Sequence, residues 1–106
     1  MSRHTHRTTR QDRPHLIIAG WDRPLGHFFL DVLDLAQPEE NPQHTVYRTM
    51  EDLSLMDPSR GTFWMGLRED ELLAKVAELD LCLPDVMLAQ LREDARSNAG
   101  NVCRSF

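Results

Sequence analysis

The sequence predicts an α+β domain, on three observations. Apolar runs of strand length fill the first half, helical periodicity fills the last third, and no repeat or heptad array joins them. Strands first and helices after imply a three- or four-stranded antiparallel sheet. It opens with a β-hairpin and is followed by a C-terminal αα-hairpin packed on one face.

The hairpin comes first. Residues 15–21 hold the run Leu16-Ile17-Ile18, ending in Ala19-Gly20-Trp21. Asp22-Arg23-Pro24-Leu25-Gly26 then reads as a turn, because Asp accepts a backbone bond, Pro fixes φ and Gly tolerates the exit geometry. In the second strand, residues 27–33, Phe28, Leu30 and Val32 share one face and Phe29, Asp31 and Leu33 the other. A polar loop with two prolines leads to a third strand at 44–50. Its alternation of Val46, Arg48 and Met50 with Thr45, Tyr47 and Thr49 suits an edge position. A short apolar patch follows (Leu53, Leu55, Met56), and 62–66, Thr-Phe-Trp-Met-Gly, is a candidate fourth strand.

The first helix is expected over 68–79. Glu69, Asp70 and Glu71 favour its N-terminus, Glu71 and Lys75 form an i,i+4 pair, and Leu72, Leu73, Val76 and Leu79 make its apolar stripe. Pro84 opens the second helix, which runs to about residue 97. Met87, Leu88, Leu91 and Ala95 face inward, while Gln90, Glu93 and Asp94 face water. Asn98 and Gly100 supply the stop. Asp94 and Asn98 are spaced to bond each other or to cap the helix end.

With 106 residues and 41% hydrophobic content the chain makes one domain. Its net charge of −5 is uneven. The first stretch sets Arg3, Arg7, Arg10 and Arg13 against Asp12 alone, so a basic arm precedes an acidic body. Residues 1–14 contain nothing to bury and are expected to form a disordered arm, with 15–101 as the domain and 102–106 as a flexible tail. An acidic body is poorly suited to gripping phosphate backbones. No signal-peptide core or bilayer-length apolar run is present, so a reducing cytoplasm is the default location. Two cysteines without metal-site spacing fit that setting: Cys82, between leucines, reads as a small buried hydrophobe, and Cys103 as an exposed thiol.

The chemistry-bearing motifs are sparse. There is no G-x-S-x-G elbow, P-loop or dinucleotide fingerprint, so no cofactor and no enzyme activity are expected. Asp22, Asp31, Asp34 and Glu39-Glu40 read as solvated surface. Three histidines at strand starts, His15, His27 and His44, have no spacing that demands a metal. Removal of the initiator Met would give Ser2-Arg3-His4, whose amine, two amides and imidazole suit square-planar Cu(II) or Ni(II).

The aromatic clusters carry the binding signal. Trp21-Asp22-Arg23 and Phe63-Trp64-Met65 combine residue types enriched in protein interfaces. Phe28 and Phe29 must face opposite sides, so a sheet with helices on one side has an apolar second face. Ile17, Ala19, Trp21, Phe29 and Leu33 are its candidates, depending on register. The expected function is a small bacterial-type binding module that regulates, adapts or inhibits a larger complex. It would bind another protein, or a second copy of itself, through Trp21, Arg23, Phe29 and Trp64. The alternative is a nucleic-acid partner held at its phosphates by Arg3, Arg7, Arg10 and Arg13.

Overall fold

A computed structural model describes residues 1–57, 59 and 66–106. The α+β class holds, with five strands rather than three or four. In chain order these are β1 (Arg3–Arg10), β2 (Arg13–Asp22), β3 (His27–Asp34) and β4 (Thr45–Arg48), then helices α1 (Glu69–Glu78) and α2 (Asp85–Ser97), then β5 (Cys103–Ser105). The sheet order is β4-β3-β2-β1-β5. All pairs are antiparallel except β1–β5, which is parallel. The candidate strand at 62–66, with Phe63 and Trp64, lies outside the described residues but for Gly66.

The disordered arm is therefore corrected. Residues 3–10 form β1, paired along its length with β2. The turn between them has Gln11 and Asp12 both at positive φ, 54° and 60°. That is the two-residue hairpin geometry normally signalled by Asn-Gly, and here no glycine announces it. The flexible tail is corrected too. Arg3 N–H donates to the Val102 carbonyl and Phe106 N–H to the Thr5 carbonyl, which fastens β5 to β1.

The predicted hairpin is present as β2–β3, with Ile17 opposite Val32 and Ala19 opposite Leu30. Its turn closes as the sequence implies. Gly26 sits at φ +67°, and Asp22 accepts from the Gly26 and Leu25 amides. The free edge of β3 is completed by three different devices. β4 pairs with Asp31, Val32 and Leu33; the Thr49 hydroxyl accepts from Leu30 N–H and donates to Leu30 C=O, both at 2.8 Å; and Leu67 bonds Phe28 in both directions. A side chain thus replaces one strand residue.

Both helices pack on one face, α1 against β3 and α2 against β2. The core joins Ile17, Ala19, Phe28, Leu30 and Val32 to Leu72, Val76, Met87 and Leu91, with Leu55 and Leu67 closing its margin. Pro84 caps α2 from just outside it, and Asn98, left-handed at φ 50°, ends it as predicted. Lys75 departs from expectation. Its ammonium bonds Glu78 at 3.0 Å and lies 5.0 Å over the Tyr47 ring. Cys82 and Cys103 are both free and exposed, which corrects the buried reading of Cys82.

Candidate functional site

Strand alternation and register decide which side chains share the face turned away from the helices. One cross-strand row runs Ser105, Thr5, Ile18, Asp31, Arg48; a second runs Arg7, Leu16, Leu33, Thr45; a third holds Cys103, Arg3, Gly20 and Phe29. Leu16, Ile18, Phe29 and Leu33 therefore form a second apolar group. Ile18 is buried yet stands outside the main core, whereas its neighbours Ile17 and Ala19 lie within it. The other three are half-buried. Phe29 packs against Gly20, where an added Cβ would meet the ring at 2.7 Å and overlap the Ser2 carbonyl. Glycine here lets the aromatic ring cover the strand (a packing role, since no positive φ is involved).

The rim of this face is basic. Arg3, Arg7 and Arg48 surround the apolar group, with Asp31 among them 4.0 Å from Arg48. Burial pushes the Asp31 carboxyl above its ordinary value, against the opposing pull of Arg48 and Arg3. Arg3 and Arg7 form no ion pair among the described residues, although acids outnumber bases in the chain.

The named partner residues do not share this surface. Phe29 is on it. Trp21 is on the helix side, where its indole N–H donates to Asn98 Oδ1 at 3.0 Å and its ring meets Phe28 edge-on at 5.0 Å. Arg23 is exposed at the tip of the hairpin. Trp64 lies outside the described residues. Ile17 and Ala19 also belong to the core face, so the second face is built from the other parity of β2, with Leu16 and Ile18.

The arginines of the nucleic-acid alternative divide likewise. Arg3 and Arg7 point outward from the sheet. Arg10 donates to the Leu79 carbonyl at 2.7 Å, and Arg13 lies 3.4 Å from Asp34. Asp34 is itself buried and accepts from Ala36 N–H, so it is not the solvated acid expected of it.

His4 has another role than metal capture. Its Nε2 donates to Asp94 Oδ2 at 2.6 Å, with both side chains buried, while Ser2 and Arg3 commit their amides to the Trp21 and Val102 carbonyls. A square-planar site would need the start of β1 to unpair. Asp94, expected to face water, is 1% exposed. Positions 87, 91 and 94 lie on one helical stripe, so spacing held the signal that polarity concealed. Burial works against the Asp94 carboxylate. Hydrogen bonds from His4, Gln90 and Ser2 outweigh it and hold its pKa below the ordinary value. Asp94 bonds these groups rather than Asn98, whose side chain serves Trp21. Among the described residues no cluster of three or more His, Cys, Asp or Glu is arranged to hold a metal ion. No described helix is long and apolar enough to cross a membrane.

No protein-family model matches the chain, and comparison with curated proteins and with solved structures gives no match.

Proposed function

We propose that this protein is a small binding module whose contact surface is the sheet face opposite the helices. The observation that supports this is a second apolar group, Leu16, Ile18, Phe29 and Leu33, that belongs to neither helix interface and is edged by Arg3, Arg7 and Arg48. Contiguous apolar surface with a polar rim is the anatomy of a protein interface. The basic rim selects a partner whose contact surface is apolar at its centre and acidic around it.

The test compares the wild type with Phe29→Glu and Leu33→Glu, each checked for native circular dichroism. Co-purification from native cells, with sedimentation of the purified chain, reads partner binding and self-association separately. The proposal expects either complex to be lost in both variants. Retention of every complex by both folded variants would overturn it.

The nucleic-acid alternative has less support, since only Arg3 and Arg7 of its four arginines point away from the fold. A hydrophobic contact survives moderate salt, whereas a phosphate-led one weakens steeply with it.

A further inference from the structure

Exposed apolar side chains are concentrated in one short segment. Of the six large hydrophobic side chains exposed among the described residues, Met50, Leu53 and Met56 fall close together, at 65%, 75% and 54% exposure. They stand on two 3-10 turns, Thr49–Glu51 and Leu53–Met56, that follow β4. The segment is fixed from inside. The Thr49 hydroxyl holds the Leu30 backbone, and Leu55 is buried at the margin of the core. At three residues per turn Leu53 and Met56 share one side of the second turn, so they face out where Leu55 faces in. Adaptable Met and Leu side chains at the surface are the material of a contact.

The border of this segment is acidic. Residues 50–57 carry Glu51, Asp52 and Asp57 and no base. Arg48 and Lys75 border the open hollow beside Leu53, and both already face carboxylates. Arg48 lies 4.0 Å from Asp31 and 4.0 Å from Glu51, and Lys75 bonds Glu78 at 3.0 Å. The sheet face around Phe29 has the reverse border, Arg3, Arg7 and Arg48. The two surfaces adjoin at Arg48, side by side and exposed, so one chain cannot lay one upon the other. Two chains can.

We infer that the occupant of the sheet face is a second copy of this chain, which presents Met50, Leu53 and Met56. The inference rests on the reading of that face as the contact surface and adds the partner to it. Apolar groups meet at the centre, and Arg3 and Arg7 of one copy approach Glu51, Asp52 and Asp57 of the other. These opposite local charges select one register between chains whose net charges of −5 otherwise repel.

The test is sedimentation velocity of the full chain, with Phe29→Glu and Leu53→Arg purified separately and then mixed in equal amounts. Leu53 is exposed enough for its variant to keep the native fold, and Arg7→Glu, at an exposed position, replaces Phe29→Glu if that variant does not fold. The wild type is expected to associate as concentration rises. Each variant alone should raise the dissociation constant roughly hundredfold, because it sets an unmatched charge in the contact. The mixture should recover dimers, since Leu53→Arg keeps an intact sheet face and Phe29→Glu an intact 50–56 segment. A contact between two like surfaces would give no such recovery. A wild type that stays monomeric to about 1 mM, association unchanged in Leu53→Arg, or a mixture that stays monomeric would each overturn the assignment. None of these removes the sheet face as a contact surface, which fails only if folded Phe29→Glu and Leu33→Glu keep every complex.

Discussion

The buried contact between His4 and Asp94 predicts that the first strand is a structural member of the domain. His4 is fully buried and Asp94 is 1% exposed, and their 2.6 Å bond joins β1 to α2 across 90 residues of chain. His4→Leu preserves apolar bulk but leaves Asp94 Oδ2 without its main donor. Removing one member of a buried pair costs about 3–5 kcal/mol. Gln90 still donates to Asp94 at 2.8 Å, and Ser2 remains a second donor, which places the expected loss near the lower end of that range. Total stability for such a domain is about 5–15 kcal/mol, so a large part of it would go. At about 4–8 °C per kcal/mol, a loss of about 3 kcal/mol lowers Tm by roughly 12–24 °C. Denaturant unfolding followed by far-UV circular dichroism, on wild type, His4→Leu, Asp94→Leu and the double variant, measures this. Each single variant strands a polar group that the double variant removes. The double should therefore cost less than the two singles together, by about 1 kcal/mol or more. Additivity within about 0.5 kcal/mol would refute the coupling, and a negligible effect of His4→Leu would refute the burial of β1 itself.

Three further outcomes follow from the same packing. Thr49→Val keeps the shape but removes the hydroxyl that satisfies both backbone groups of Leu30; at about 1–3 kcal/mol for each buried group left unpaired, thermal unfolding should show a marked drop. Gly20→Ala forces Phe29 and the Ser2 carbonyl apart and should cost about 1–3 kcal/mol by the same measurement. The folded Asp94 carboxyl titrates below its ordinary value of 3.8, so its stabilisation is present above that value and is lost as pH falls through the folded pKa. Asp31 has the opposite sign. Its raised pKa gives a contribution present at low pH and lost as pH rises, so Asp31→Asn should relieve a penalty near neutrality and Asp94→Asn should flatten the acid limb of the stability profile.

The hairpin and both helices were legible because their residues alternate or recur at helical spacing. Phe28 and Phe29 fall on opposite faces, as their adjacency requires. Met87 and Leu91 are buried where the stripe places them. β1 was not legible. Arg-His-Thr-His-Arg-Thr-Thr-Arg contains no apolar residue, and its inward positions are polar groups satisfied by distant partners, His4 by Asp94 and His6 by the Phe106 carbonyl at 3.0 Å. Gln11-Asp12 hid the turn, because no glycine stands at either positive-φ position and Gln is not a usual occupant of one. β5 could not be read from three exposed residues whose pairing depends on β1. The second apolar face was foreseen in kind, but its members depended on register. Ile17 and Ala19 turned inward, and Leu16 and Ile18 took their place.

We propose that the sheet face around Phe29 is where this protein meets a partner. A photoreactive benzoylphenylalanine at position 29 tests it directly, with the same residue at Val86 as control, exposed on the helix side. Irradiation in native cells followed by mass spectrometry of the adducts gives the result. A discrete protein adduct is expected from position 29 and none from position 86. No adduct at position 29 from a folded, expressed variant, or the same adducts from both positions, would contradict it.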